Sequence, residues 1–524
     1  MFIRWKTAWW IVGGASLLAV AGLLIASALI SRKARGWAED WLTQEYKSQV
    51  QLSSFRVAIP FPLVQAEGQN LVLHFEGRQD LPPLIAIKRF SFRTSIWGLL
   101  QNTRHIDSVS LDGLQITIPP REERGNQGSG KNAARKFRMI RFGEIHSQNA
   151  ILKILTAKPG KEPLEFDIRQ LRLSSTGNQD ALAFHATLSN PKPPGEIVSS
   201  GTFGPWNADT PSLSPVSGEY TFAKADLGVF RGIAGILSSK GKYQGVLEEI
   251  GVDGTTDTPD FRVTRADHPL DLTTVFHATV AGTDGDTYLH SVEGHLGKTT
   301  LLISGKIEGT KGQKGKTITL DVHTGPARME DLLQLAIKEQ PTLAGPARLN
   351  TNFVLAPGPE EIPDRLKLDG SIEVDAAHFT NSGVQQKFDN FSERSQGKPK
   401  ETKNPAEATS SDDVPSTIKA NFRLDQGVLR LSRVSLEVPG AQVRIAGTFT
   451  LEQELLDLYG TLTMQAKLSQ VTTGVKSFLL KFADPFFSKD GKGAVLPIKI
   501  TGSVQHPKYG LDLHHRAEAT KATK

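Results

Sequence analysis

The chain has 524 residues, 61 of them basic and 55 acidic, for a formal net charge of +6. Its basic clusters, Arg32–Arg35, Arg121–Arg138 and Arg516–Lys524, are nearly devoid of aromatic residues, which argues against nucleic-acid binding, where a basic groove is interleaved with stacking platforms. Cysteine is absent, and this excludes disulfides, thiolate nucleophiles and cysteine-ligated zinc or iron–sulfur sites.

The first element in chain order is Thr7–Ser31, a run without a charged residue, preceded by Arg4 and Lys6 and followed by Arg32, Lys33 and Arg35. Roughly twenty apolar residues in a helix cross a bilayer core of about 30 Å. The run therefore predicts one transmembrane helix, with Leu17, Leu18, Leu23, Leu24 and Ile25 in the acyl region. Trp9 and Trp10 stand where an aromatic belt belongs. A cleaved signal peptide is the rival, because Ala26-Ser27-Ala28 has the small-x-small form of a cleavage site. The length of the run and the basic residues after it favour an uncleaved anchor. Basic residues flank both ends, so they do not orient the helix.

Gly36–Lys47 predicts a short amphipathic helix with Trp37, Trp41 and Leu42 on one side. The period then changes to two. Leu71, Leu73 and Phe75 alternate with Val72 and His74; Ile85 and Ile87, then Phe90 and Phe92, follow, and Leu114, Ile116 and Ile118, alternating with Gln115 and Thr117, end before Pro119-Pro120. Such alternation marks half-buried strands, with a helical turn at Ser95–Gln101 between them. Arg121–Arg138 is charged and glycine-rich, and predicts a flexible linker. Strands are expected at Leu164–Leu173, Leu182–Leu188, Gly218–Phe222 and from Gly245 to Val322. Leu227, Phe230, Ile233, Ala234 and Leu237 have helical spacing, so a short helix is expected over Asp226–Ser238. Another is expected over Met329–Lys338.

The C-terminal part alternates most cleanly. Leu366, Leu368, Ile372 and Val374 are one parity of a strand; Ile418, Phe422 and Leu424 are one parity of a second; Ile498 and Ile500 are one parity of a third. Ser395–Ser416 lacks apolar periodicity and is expected to be disordered. Val475, Phe478, Leu479 and Phe482 predict an amphipathic helix stopped at Pro485.

The expected fold class is thus mostly β: an N-terminal transmembrane helix, then antiparallel sheet with a few short helices. The expected division is an anchor (1–36), an N-terminal β region (37–120), a basic linker (121–138), a central β region (139–384), a disordered loop (385–416), a C-terminal β region (417–510) and a tail (511–524). So few helices cannot cover that much apolar strand face. The sheet must close on itself, pack on a second sheet, or leave the face to another apolar molecule.

No motif supplies catalysis, and no cofactor is expected. Gly297-Lys298-Thr299 and Gly315-Lys316-Thr317 end like phosphate loops, but Val292 and Thr310 stand where the first glycine is required, so both read as hairpin turns. Asp253, Asp257 and Asp260, and Asp284 with Asp286, read as turn residues before calcium ligands. His514-His515 lies in the charged tail.

Ser95–Pro120 (SIWGLLQNTRHIDSVSLDGLQITIPP) resembles the N-terminal region of the AsmA family, and the resemblance continues through Gly235–Phe261, Asp364–Gly397, Val438–Leu451 and Ser469–Gly502. These are turn-and-strand patterns rather than a catalytic signature. The resemblance implies an elongated, twisted β-groove related to bridge-like lipid-transfer proteins. It also implies a single-pass bacterial inner-membrane protein, with Met1 cytoplasmic and the body periplasmic. The expected function is to shelter acyl chains for phospholipid transport and outer-membrane biogenesis, with the inner membrane, phospholipid and envelope proteins as partners. The expected lipid contacts are Leu366, Leu368, Ile372, Val374, Ile418, Phe422, Leu424, Ile498 and Ile500. The alternative is a structural or regulatory envelope scaffold with a closed apolar core.

Overall fold

A computed structural model of the chain describes residues 36, 50–74, 82–83, 85–100, 104–118, 140–155, 164–175, 181–205, 207, 211–282, 285–309, 315–396, 416–465, 494–503 and 506–512. The expected anchor with Trp9, Trp10 and its leucines, the Ala26-Ser27-Ala28 site, the expected helix Gly36–Lys47 apart from Gly36, the linker 121–138, the helix over Val475–Phe482 and His514-His515 lie outside the described residues. Among the described residues, no helix is long and apolar enough to cross a membrane.

The chain is mostly strand, and its contacts divide it into two units. One comprises Met1–Asp226, Ser238–Gly254 and Thr279–Thr287; the other comprises Leu227–Leu237, Thr255–Ala278 and Tyr288–Lys524.

The first unit holds β1 (Val50–Gln51), β2 (Ser54–Ala58), β3 (Leu63–Leu73), β4 (Ile85–Ser95), the helical turn α1 (Ile96–Leu100), β5 (Arg104–Ile118), β6 (Ile140–Ile154), β7 (Leu164–Ser175), β8 (Leu182–Pro191), β9 (Pro194–Phe203) and β10 (Pro215–Asp226). Strands β1 and β2 pair with β3, and neighbours from β3 to β10 pair in chain order. All are antiparallel except β5 with β6, which run parallel. That corrects a purely antiparallel expectation: twenty-one residues, 119–139, separate these strands, enough for the crossover a parallel pair requires.

A crease runs across this unit. Asn70 on β3 (φ 54°), Gly113 on β5 (φ 66°) and Asn149 on β6 (φ 53°) adopt left-handed backbone at matching register positions. A Cβ on Gly113 would stand 2.7 Å from the Lys88 side chain, in a conformation strained for any L residue. The crease moves the apolar parity along by one. Ile87, Leu114 and Ala150 on one side of it therefore pack with Phe90 and Leu111 on the other.

After β10 come β11 (Ile233–Ala234), β12 (Ile236–Val246), β13 (Glu249–Val263), β14 (Leu270–Val280) and β15 (Thr287–Leu296). The helix expected over Asp226–Ser238 does not form. Only Leu227–Val229 makes a single 3-10 turn, and Ile233 and Ala234 extend to pair with Val263 and Arg262. Gly232 (φ 87°) and Gly235 (φ 141°) explain this, since left-handed glycine backbone interrupts a helix whatever the apolar spacing.

The second unit continues with β16 (Thr299–Gly309), β17 (Lys316–Thr324), β18 (Ala327–Arg328), the helix α2 (Met329–Ala336), β19 (Leu343–Ala344), β20 (Pro346–Leu355), α3 (Ile362–Arg365), β21 (Leu366–Val374), β22 (His378–Phe379), α4 (Ser382–Ser395), β23 (Thr417–Asp425), β24 (Val428–Val438), β25 (Ala441–Thr450), β26 (Leu455–Met464), β27 (Ala494–Ser503) and β28 (Pro507–Leu511). Helix α4 corrects the expectation of a disordered loop from 385. Its low apolar content hid it, because polar groups hold it: Ser392 Oγ donates to the Pro439 carbonyl at 2.7 Å, and Gln385 Oε1 accepts the Phe379 N–H at 2.6 Å. Ser392 and Ser395 are fully buried.

Candidate apolar binding face

In the second unit the pairings align the predicted apolar parities into unbroken rows. One row runs Leu320, Phe353, Leu368, Leu424, Leu429, Phe449 and Leu456 across seven strands. The next runs Ile303, Val322, Thr351, Gly370, Phe422, Leu431, Gly447, Leu458, Ile500 and Tyr509 across ten. A third carries Leu349, Ile372, Ala420, Val434, Ile445, Gly460, Ile498 and Leu511. Residues in register point to one side of a sheet, so these rows are one face. Ten strands at about 4.8 Å make it about 43 Å wide.

The bulge between Asn421 and Phe422 inserts Ser432 into β24. Without it, Leu429 and Leu431 would fall on the opposite face from Val434 and Leu436.

All nine predicted contact residues lie on this face, but not in the same surroundings. Leu366, Leu368, Phe422, Ile498 and Ile500 are half-buried. Val374 is 1% exposed and forms a closed cluster with Ala327, Ala347 and Ala377. Ile372 and Ile418 pack against that cluster beside Met329 and Leu332 of α2. Val374 is therefore a core residue, sealed by the chain's own helix, which corrects its reading as a lipid contact. Leu424 is 4% exposed and equally inaccessible.

The other face of the same strands is charged. Asn352, Asp369, Arg423, Arg430, Thr448, Asp457, Thr501 and Lys508 form one of its rows. Arg423 pairs with Asp369; Glu373 meets Lys419 at 2.7 Å and Arg348 at 3.2 Å. The Lys419 ammonium, then the Arg348 guanidinium, holds the Glu373 carboxyl below its ordinary range. A depression of about 700 Å³ lies on this charged side, lined by Asp321, His323, Asn350, Arg423 and Arg430, with Phe422 at the neighbouring bulge also contributing to its wall. The charges of Asp321, Asp369, Arg423 and Arg430 in its walls make it a poor seat for hydrocarbon.

The first unit repeats the division. Leu111, Ser147, Leu171, Ala186, Ser199 and Tyr220 share one row. Two of its hydroxyls are satisfied internally: Ser199 Oγ lies 2.7 Å from Tyr243 Oη, and Tyr220 Oη lies 3.0 Å from Ser239 Oγ, whereas Ser147 Oγ is buried without a hydrogen-bond partner among the described residues. Burial pushes both phenol pKa values up. On the opposite face Arg89 reaches Asp112 at 2.6 Å, and Asn149 donates to the same carboxylate at 3.1 Å.

Compared with known protein families, curated proteins and solved structures, the chain matches none.

The motif-like sequences resolve into structure. Gly297-Lys298-Thr299 is the turn between β15 and β16, and an internal carboxylate fills its anion-binding position. Asp331, in the first turn of α2, accepts from the Lys298 N–H and from Thr299 Oγ1, each at 2.8 Å. Sequence reading missed Asp331, which is 8% exposed; its signal was an acidic residue in the first turn of a predicted helix. Gly315 (φ 99°) opens β17. Asp253, Asp257 and Asp260 lie along β13 rather than in a turn. Among the described residues, no three histidine, aspartate or glutamate side chains gather as a metal site.

Proposed function

We propose that the apolar face shelters the acyl chains of phospholipid, in a protein of AsmA type held in the bacterial inner membrane by Thr7–Ser31 with its body in the periplasm. The supporting observation is the register-continuous apolar face of the second unit, half-exposed at Leu366, Leu368, Phe422, Ile498 and Ile500 and backed by a charged face. Contiguous apolar surface of this extent on a protein face marks a site for another apolar molecule. Exposing a two-chain lipid's roughly thirty methylenes to water costs on the order of 20 kcal/mol, at about 0.8 per CH₂. Such a molecule crosses an aqueous space only when its chains stay covered. The charged opposite face keeps the carrier itself in water, and the function contributes to phospholipid transport and outer-membrane biogenesis. The proposal assigns the chain no catalytic step.

The test is detergent-free. A protease site placed within residues 32–49 of the full chain releases the body from isolated membranes, and its lipid is extracted and weighed. One or more phospholipids per chain supports the proposal. A lipid-free, folded body leaves a scaffold with a closed core as the better reading.

A further inference from the structure

In the first unit, every large apolar side chain that stands exposed among the described residues lies at the same ends of the strands. Phe61 (71% exposed) is in the β2–β3 turn, Trp97 (67%) is in α1 after β4, and Leu213 (46%) is in the turn before β10. Register places them together: Leu63 pairs with Ser95, Ser175 with Leu182, Leu182 with Phe203, and Phe203 with Val216. They are spread along one rim, over about 30 Å of strand spacings.

Single exposed apolar residues are ordinary. These differ in being held rigidly outward. The Ile96 N–H donates to the Pro62 carbonyl at 3.0 Å and the Leu63 N–H to Pro60 at 2.8 Å, which locks the Phe61 turn to α1. Gly98 N–H donates to Ser95 Oγ at 3.0 Å. At Leu213, the flanking Ser212 Oγ donates to Glu248 at 2.9 Å, and Ser214 Oγ accepts from the Asn207 N–H at 3.0 Å. Exposed Arg93, paired in register with Gln65 at the same rim, adds a cation near Phe61 and Trp97, and Glu248 adds a carboxylate beside Leu213. Aromatic and aliphatic side chains with polar and charged neighbours, on ordered turns, suit the headgroup level of a bilayer.

We infer that this rim seats on the lipid bilayer, resting on the anchor and conduit reading above. Residues 32–49 join Ser31 to Val50, and eighteen residues reach up to about 60 Å. Strands β1 and β2 carry the chain only about 26 Å from Val50 to the Phe61 turn, so the tether lets the rim lie on the membrane that holds the anchor. Phe61 and Trp97 then sit at the headgroups, and the rim end of the first unit's apolar face abuts the membrane surface.

The absence of cysteine makes the test clean. Phe61→Cys, Trp97→Cys and Leu213→Cys, each labelled with an environment-sensitive fluorophore, are compared with Val275→Cys and Tyr509→Cys, exposed apolar positions of the second unit. The full chain is reconstituted into phosphatidylethanolamine–phosphatidylglycerol vesicles with or without brominated acyl chains. Rim labels seated at the depth of interfacial apolar groups, about 5–10 Å into the headgroup–acyl boundary, should lose about half or more of their fluorescence to bromine, and the controls should not. Equal quenching at all sites, or none at the rim, overturns the inference; so does a rim response that is the same without vesicles, which would indicate a protein contact. If Phe61→Cys fails to fold, Leu213→Cys reads the same rim. Lipid captured at Phe422 without rim quenching would sink this inference alone, whereas rim quenching without captured lipid would sink only the conduit.

Discussion

Leu368 stands in register with Leu424 across β21 and β23, and one residue along each strand Asp369 meets Arg423. This pair of contacts, repeated over neighbouring strands, makes a sheet with one apolar face and one charged face. Openness differs along the apolar face, and charge insertion measures it. Val374→Asp buries an unpaired charge in a closed cluster and should cost about 4 kcal/mol or more. Phe422→Asp keeps a path to solvent and should cost about 1 kcal/mol. Urea unfolding compares the two; equal losses would mean that the face at Phe422 is sealed as well.

Asp331 fastens α2 to the β15–β16 turn through two hydrogen bonds. Asp331→Ala leaves the Lys298 N–H and the Thr299 hydroxyl without their acceptor, which should cost about 1–3 kcal/mol. Hydrogen exchange at Lys298 should accelerate by a matching factor. An unchanged exchange rate would show that water replaces the carboxylate.

Glu373 gives the charged face a pH signature. Its folded pKa is lowered by Lys419 and Arg348, so its bridges contribute above the ordinary carboxylate range and are lost as pH falls through the lowered folded value. The melting-temperature gap between the parent and Glu373→Gln should be constant above about pH 5 and close on further acidification. A gap that widens in acid would contradict these bridges.

Excising residues 397–415 should change stability by less than about 1 kcal/mol, because a polar sequence without apolar periodicity offers little to bury. The cut must spare its ends. Ser392 and Ser395 are fully buried in α4, and Ser416 Oγ bonds the Ala377 carbonyl. A deletion reaching back to Ser392 should cost clearly more by the same urea assay, and equal costs would deny α4 a packing role.

Strand positions and face parity were legible because a period of two survives wherever one face meets water. Leu366 to Val374 and Ile418 to Leu424 share the face their alternation indicates. The crease at Asn70, Gly113 and Asn149 is visible in the sequence only as the shift from Ile85 and Ile87 to Phe90 and Phe92. Its cause, left-handed backbone aligned across strands, is a tertiary property. Asp226–Ser238 misleads because apolar spacing ignores glycine backbone, and α4 is hidden because, among its described side chains, the buried ones are the polar Gln385, Ser392 and Ser395. That α2 seals Val374 while Phe422 stays accessible depends on which strand ends a helix covers, information that no local pattern holds.

The central claim is that the half-buried apolar parity touches lipid and the charged parity does not. Photocrosslinking residues placed one at a time at Leu368, Phe422 and Ile500, and at Lys367, Arg423 and Lys499, in the full chain in its native membrane test it directly. The account predicts phospholipid adducts, read by mass spectrometry, at the first three positions and none at the second three. Equal labelling of both sets, or no lipid at Phe422 in a folded protein, would contradict it.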